Sequence, residues 1–82
     1  MTNEEILATL AEILGDLLGT DGLALTSATR REDVPDWDSL MYVNFIAMVE
    51  IKFGIRFKVS EIESFQDIGA VVAGVQAKLA AK

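Results

Sequence analysis

A serine that follows an aspartate, Ser39 after Asp38, has the clearest potential for chemistry in this sequence. Pro35 lies shortly upstream, and because its ring fixes φ and makes the preceding residue extended, a helix cannot run through this point. A new helix must start after it, and both Asp38 and Ser39 are good N-cap residues. If Asp38 is the cap, Trp37 and Tyr42 stand at N′ and N4, where an apolar pair forms a hydrophobic staple. With Ser39 as the cap, the corresponding pair would include a charged aspartate, so we take Asp38 as the cap.

The Asp38 cap determines what Ser39 could do. The carboxylate would accept a hydrogen bond from the amide of Leu40 or Met41, which leaves Ser39 at N1 with a free hydroxyl. A helix N-terminus stabilises phosphate, so a phosphoester on Ser39 would be well placed. The sequence contains no histidine and no cysteine, and its carboxylates are scattered. A hydrolase that uses Ser39 is therefore disfavoured, because no residue offers the base, and we expect neither a catalytic residue nor a metal site.

Length and charge exclude further classes. The 82 residues, 51% of them hydrophobic, suit one small domain with a single core. The net charge of −6 argues against nucleic acid, whose binding needs a basic face. The longest apolar run is too short for a transmembrane segment, and the N-terminus lacks the pattern of a signal peptide. We expect residues 1–82 to form a single stand-alone domain, monomeric and cytoplasmic.

The first predicted helix begins at a capping box of Thr2 with Glu5 and ends near Gly19. Its apolar residues recur at helical spacing: Ile6, Leu7, Leu10, Ile13, Leu14, Leu17 and Leu18. The long connection that follows, up to Asp38, contains a turn at Asp21-Gly22. Its apolar side chains are expected to pack across the helices, and its charged cluster to face solvent. The apolar set is Leu23, Leu25, Val34 and Trp37, and the cluster is Arg30, Arg31, Glu32 and Asp33.

The second predicted helix runs from Ser39 to about Phe53, with Gly54 as its stop. One apolar stripe comprises Tyr42, Ile46, Val49 and Phe53, widened by Val43 and Phe45. The opposite face carries Met41, Asn44, Met48 and Ile51 or Lys52. This second face is unusually apolar for a surface helix. It indicates either a helix buried on more than one side or a docking face, since exposed methionines adapt to partners.

The C-terminal third predicts a short helix and a long one. Residues 55–59 alternate apolar and polar like a strand but have no strand to pair with, so we expect an extended connector. Ser60 with Glu63 offers a capping box for a short third helix over residues 60–64. Ser64 or Asp67 then caps the fourth helix, whose apolar face comprises Ile68, Val71, Val72, Val75 and Leu79.

Two glycines in the fourth helix, Gly69 and Gly74, each cost roughly 1 kcal/mol relative to alanine. They indicate either close packing or room for a ligand or for helix movement. A pocket for a chain between the helices is a related alternative. Its candidate lining is Phe45, Phe57, Ile62 and Phe65, whose ordinary role would be in the core.

Three segments resemble the acyl carrier proteins and the related peptidyl carrier domains. They are Asp38-Ser39-Leu40 after a long loop, Val49-Glu50-Ile51-Lys52-Phe53-Gly54-Ile55 at the end of the second helix, and Phe65-Gln66-Asp67-Ile68 leading into the fourth. The resemblance covers nearly the whole chain, and motif, helix context and length agree. It implies an all-α fold, a small up-and-down bundle of three long helices, the first, second and fourth, with a short third helix set across and a long loop between the first two.

The resemblance also implies a function. Ser39 would receive 4′-phosphopantetheine from coenzyme A through a separate phosphopantetheinyl transferase, and Asp38 would assist its recognition. Partner enzymes that load and process acyl or aminoacyl groups would meet Leu40, Met41, Asn44 and Met48. Because the chain has no cysteine, the reactive thiol would be the one at the end of the arm, where the cargo rides as a thioester. The chain would then be a tether rather than an enzyme.

The sequence departs from the family in one respect. Many fatty-acid carriers have a second helix rich in acidic residues, whereas here the corresponding face shows Met41, Asn44 and Met48. From Met1 to Asp38 there are nine acidic and two basic residues, so the charge lies before the second helix rather than on it. We therefore expect partners to dock mainly through apolar contacts, in a specialised lipid, polyketide or peptide pathway. The alternative function is a small helical interaction module without a prosthetic group.

Overall fold

A computed structural model of the protein describes residues 1–20 and 23–81. These residues form four α-helices, α1 (Asn3–Leu18), α2 (Ser39–Phe53), α3 (Val59–Ser64) and α4 (Ile68–Ala80), together with a 3₁₀ turn at Arg31–Asp33. No strand occurs among the described residues, and the all-α bundle of three long helices and one short helix is confirmed. In this part of the chain, no helix combines the length and the apolar character that a bilayer span requires.

Helix α1 begins and ends where local chemistry predicts. The Thr2 hydroxyl accepts from the Glu5 amide at 3.1 Å, and the Glu5 carboxylate accepts from the Thr2 amide at 2.8 Å. Gly19 ends the helix with φ 68°, a left-handed conformation in which a side chain would be strained. One face of α1 is buried in the core and packs against both α2 and α4.

The connection from α1 to α2 is held by its apolar side chains and by α4. Leu25, Val34 and Trp37 are buried, as predicted, while the charged residues from Arg30 to Asp33 are exposed. Its backbone carbonyls at Ser27 and Thr29 accept from the first amides of α4, at 2.8 Å each. The 3₁₀ turn was not predicted, and the predicted turn at Asp21-Gly22 lies outside the described residues.

Helix α3 is capped differently from the prediction. The expected capping box of Ser60 with Glu63 is wrong, and α3 begins one residue earlier, at Val59. The Glu61 carboxylate accepts from the Lys58 amide at 2.8 Å. The same carboxylate forms an ion pair with Lys78 of α4 at 2.9 Å. Glu61 can meet both partners at once, which explains why the cap lies here.

Helix α4 carries glycines because neighbouring groups approach its backbone closely. Asp67 is its cap, accepting from the Ala70 amide at 2.8 Å. Of the predicted apolar face, Ile68, Val71, Val72 and Val75 are buried and Leu79 is half-buried. A Cβ at Gly69 would lie 2.8 Å from the Ser27 carbonyl oxygen, and one at Gly74 would lie 2.9 Å from the Phe65 ring. Of the two explanations considered, close packing is therefore confirmed at both positions.

We predict that Gly69→Ala lowers the free energy of unfolding by about 1–3 kcal/mol, although alanine is the better helix former. The added methyl group must push back the Ser27 carbonyl, which already accepts from the Gly69 amide. Urea unfolding of the two proteins measures the difference. Ala77→Gly, at an exposed position of α4, serves as control and should cost about 1 kcal/mol through propensity alone. A Gly69→Ala protein more stable than the parent would contradict the close approach.

Candidate functional site

The site is built on the first turn of α2. The Asp38 Oδ1 atom accepts from the Met41 amide at 2.9 Å, and the Asp38 carbonyl accepts from the Tyr42 amide at 2.9 Å. Asp38 is therefore the N-cap, as predicted, and Ser39 is the first helical residue. Ser39 is exposed, and its hydroxyl has no hydrogen-bond partner among residues 1–20 and 23–81. The hydroxyl is thus free for chemistry with an external group.

A tight turn directs the chain into this cap. The Trp37 amide donates to the Val34 carbonyl at 3.3 Å, with Pro35 and Asp36 between them. Asp36 has φ 69°, a left-handed conformation that aspartate tolerates better than most residues. Proline followed by a residue with positive φ is typical of a type II turn. This turn was not predicted from the sequence, although the pair Pro35-Asp36 is a signal that indicates it.

The turn places the Trp37 ring against α2. Its centroid lies 6.1 Å from that of Tyr42 and 5.2 Å from that of Phe45, the second pair meeting edge to face. The predicted staple between Trp37 and Tyr42 is therefore present. Trp37 is buried at 6% exposure, so the ring fastens the end of the loop to the core directly before Ser39.

A groove with a volume of about 730 Å³ opens beside Ser39. It lies between α2, α3, the start of α4 and the loop before α2. Its apolar wall includes Trp37, Tyr42, Ile46, Ile62, Phe65 and Val71, and polar side chains along it include Arg30, Arg31, Glu50 and Glu63. Of the four residues predicted to line a pocket, Ile62 and Phe65 line this groove. The other two, Phe45 and Phe57, belong to the buried core.

Two hydrogen bonds connect α2 to the segment that closes the groove. The Tyr42 hydroxyl donates to the Ile62 carbonyl of α3 at 2.6 Å, and the Phe57 amide donates to the Glu50 carboxylate at 2.8 Å. Burial raises the pKa of the Tyr42 hydroxyl, and this effect outweighs the opposing charge of Arg31, which lies 5.2 Å from the ring centroid. Tyr42 therefore stays neutral and able to donate well beyond physiological pH.

Helix α3 is held on its other side by Glu61. The Lys58 amide, and after it the ion pair with Lys78, keep the pKa of the Glu61 carboxyl below its usual value. A lowered pKa means that the contribution of this carboxylate to stability is present at neutral pH and is lost as the pH falls through that pKa. The wall of the groove formed by α3 thus depends on contacts with both α2 and α4.

The exposed face of α2 differs in part from the prediction. Large apolar side chains are exposed along it, at 69% for Leu40, 58% for Val43, 44% for Met48 and 74% for Ile51. Asn44 lies on the same exposed side. The idea that α2 is buried on more than one side is therefore wrong.

Two residues of α2 exchange faces relative to the prediction. Met41 is half-buried against the core, because it precedes the buried Phe45 by one helical turn. Val43 was predicted to widen the buried stripe, but it is exposed because it lies one turn before the exposed Ala47. We call the strip of Leu40, Val43, Asn44, Met48 and Ile51 the exposed face of α2.

The exposed face of α2 has little negative charge. No acidic residue occurs in the first turn of α2, and Lys52 lies in the last. The helix contains a single acidic residue, Glu50, which is half-buried and whose carboxylate accepts a hydrogen bond from the Phe57 amide. Among the described residues, no cluster of carboxylates, histidines or cysteines could hold a metal ion.

Known proteins resemble this chain in sequence and in fold. A family model described as a phosphopantetheine attachment site matches residues 6–75. The meromycolate extension acyl carrier protein of Mycolicibacterium smegmatis is 33% identical over 75 residues, covering 92% of this chain and 76% of that protein. An acyl carrier protein of an Exiguobacterium species is 32% identical over 79 residues, covering 96% of this chain and 100% of the other.

A solved structure agrees with these matches. The solution NMR structure of the holo acyl carrier protein from Geobacter metallireducens superposes with a TM-score of 0.85 at 30% sequence identity, covering 93% of this chain and 87% of the other. The chain therefore belongs to the acyl carrier protein family. It is a carrier protein whose cofactor is a covalently attached phosphopantetheine. Members of the family work with a phosphopantetheinyl transferase and with loading and processing enzymes.

We predict that Tyr42→Phe loosens α3 while leaving α1 unchanged. The variant keeps the ring but removes the 2.6 Å hydrogen bond to the Ile62 carbonyl, at a cost of about 0.5–1.5 kcal/mol. Amide hydrogen exchange should accelerate in residues 59–64. Thr9→Val, which removes a hydroxyl–carbonyl bond within α1, is the matched control and should not affect α3.

The same bond predicts a pH dependence. Because burial raises the pKa of Tyr42 above the usual 10.0, the protection of α3 should persist through neutral pH and decline only as the pH rises through the raised pKa. Equal exchange of α3 in Tyr42→Phe and in the parent would show that the bond does not hold α3.

Proposed function

We propose that Ser39 carries the phosphopantetheine and that the chain presents acyl or aminoacyl groups on it, as thioesters, to partner enzymes. The observation that supports this most directly is the free, exposed Ser39 hydroxyl at the first position of α2, on the rim of a groove. Within this proposal residues 1–82 act as one carrier domain. The chain itself performs no catalysis.

The surroundings of Ser39 fit a phosphodiester. The amides at the start of α2 provide a positive helix end, and no acidic side chain follows Asp38 within the first turn. In the attachment reaction, a bond forms between Ser39 Oγ and the phosphorus that bears pantetheine, and the bond from that phosphorus to the nucleotide of coenzyme A breaks. The serine proton passes to a base of the transferase, since no histidine exists in this chain. Asp38 contributes by capping α2 and so fixing where the hydroxyl points.

The attached group supplies a terminal thiol for the thioester, which the chain lacks because it has no cysteine. The protein then works by tethering. A flexible arm raises the local concentration of cargo at each docked enzyme, and a weak interface lets the carrier leave for the next one. The groove beside Ser39 provides an apolar wall against which part of an acyl chain can be sheltered from water between encounters.

Partner enzymes dock, in this proposal, on the start of α2 and on its exposed face. The residues assigned from the sequence were Asp38, Leu40, Met41, Asn44 and Met48. The half-buried Met41 is a poor contact, so we replace it by Val43 and Ile51, which are exposed beside the others. Since this face carries no carboxylate, we propose partners with apolar rather than strongly basic docking surfaces.

The pathway is proposed to be a specialised one that makes a lipid, polyketide or peptide. The similarity to carriers named for meromycolate extension supports a specialised lipid pathway in particular. Cytoplasmic localisation and a monomeric state stay predictions from the sequence.

We predict that incubation with coenzyme A and a broad-specificity phosphopantetheinyl transferase increases the intact mass by one phosphopantetheine, and that Ser39→Ala abolishes the increase. The exposed Ser60 lies in the first turn of α3, so Ser60→Ala is the matched control and should be modified normally. Intact-mass spectrometry measures all three proteins. A Ser39→Ala protein that still gains the arm, or a parent that never does, would overturn the assignment.

We also predict that Met48→Glu slows transfer of cargo to or from the cognate partner by about tenfold, as expected if desolvating a charge costs the interface at least 1–2 kcal/mol. Steady-state kinetics with carrier as the varied substrate measures the effect, which should be little changed by salt. Ala77→Glu adds the same charge on the exposed side of α4 and should leave transfer unchanged. If both variants behave like the parent, docking does not use the exposed face of α2.

A further inference from the structure

One residue that lines the groove beside Ser39 has a buried polar atom without a hydrogen-bond partner. Trp37, the only tryptophan in the chain, lines the groove and is 6% exposed. Its indole nitrogen, Nε1, is closed to solvent and has no hydrogen-bond partner among residues 1–20 and 23–81. Buried donors are nearly always paired, and an unpaired one costs free energy, so its presence on a residue that lines the groove requires a reason.

Several other polar groups along the groove already have partners. The Tyr42 hydroxyl donates to the Ile62 carbonyl, and the Glu50 carboxylate accepts from the Phe57 amide. The Asp67 carboxylate accepts from the amide of Ala70, and Arg30 pairs with Glu32 at 3.4 Å. Among the buried side-chain nitrogen and oxygen atoms of the described residues, the Trp37 Nε1 donor is the one without a partner. The indole N–H needs a hydrogen-bond acceptor. Because the residues around it are mostly apolar, the acceptor should be uncharged.

We propose that Trp37 Nε1 donates to an uncharged acceptor oxygen, a carbonyl or hydroxyl close to the thioester, on the arm or cargo that enters the groove. This inference rests on the proposed attachment of the arm to Ser39, two residues further along the chain. If the acceptor belongs to the cargo, a saturated chain fills the same groove but leaves the indole donor unpaired, and an oxygenated chain of equal length is held more firmly.

The acceptor oxygen has two possible sources with the same chemistry. The pantetheine arm has amide carbonyls and a hydroxyl, and the acyl cargo can have an oxygen on its third carbon. In either case the ring contact between Trp37 and Tyr42 must adjust, because Nε1 is closed to solvent while the groove is empty. The indole N–H signal therefore changes when an acceptor arrives.

The experiment uses ¹⁵N–¹H spectra of the full chain, in which the only tryptophan gives a single indole signal. Four forms are compared: without the arm, with the arm, with a saturated acyl thioester, and with a 3-hydroxyacyl thioester of the same length. Intact mass verifies that each form is loaded, so a failure of the arm to attach is distinguished from a failure of Trp37 to bind.

We expect the indole proton to shift downfield and to exchange more slowly with solvent when its acceptor is present. A change in the 3-hydroxyacyl form alone assigns the acceptor to the cargo, and a change in every form with the arm assigns it to the arm. An indole signal that is the same in all four fully loaded forms overturns the proposal.

Trp37→Phe gives a second readout, because it removes the donor while it keeps an aromatic ring at this position. If the cargo supplies the acceptor, cleavage of the thioester by hydroxylamine in the parent should be about twofold to tenfold slower for the oxygenated chain than for the saturated one. If the arm supplies it, both chains should be cleaved more slowly in the parent than in Trp37→Phe. In Trp37→Phe itself, the two thioesters should be cleaved at equal rates. Identical cleavage rates in parent and variant for both chains would contradict a role of the indole donor.

Discussion

The hydrogen bond from the Met41 amide to the Asp38 carboxylate is the interaction on which the site depends. It ends the loop and begins α2 at a fixed residue, and this start determines the direction of every side chain that follows. Ser39 is thereby exposed, and Tyr42, one turn later, faces the groove. A start displaced by one residue would rotate this pattern by about 100° relative to the core. The Trp37–Tyr42 staple and the turn at Asp36 reinforce the same register from the loop side.

The groove is closed by a helix too short to be stable alone. With six residues, α3 has almost no internal hydrogen bonds, so its position is set by neighbours. Tyr42 holds it from α2, and Lys78 holds it from α4 through Glu61. Both contacts use single side chains at its edges. The wall that α3 gives the groove is therefore held by these two polar contacts together with the packing of Ile62 against the core.

Features governed by neighbouring residues could be predicted from the sequence, and features governed by distant ones could not. The caps at Thr2 and Asp38 and the stops at Gly19 and Gly54 follow from local chemistry. The faces of Met41 and Val43 were exchanged, because an apolar helix has no strong periodicity to orient it. The predicted position of the α3 cap was wrong because Glu61 forms an ion pair with Lys78, which lies far along the chain. The unpaired indole nitrogen of Trp37 could not be predicted from the sequence, because its burial depends on how distant segments pack around it.

The fold thus presents one free hydroxyl at a helix start, beside a groove and next to an apolar docking face, and the central claim is that the arm is attached there. Fragmentation mass spectrometry of the phosphopantetheine-bearing chain from its native host tests this claim most directly. We expect the fragments to place the whole added mass on Ser39, together with any cargo still bound to the arm. Added mass on any other serine, threonine or tyrosine would contradict it.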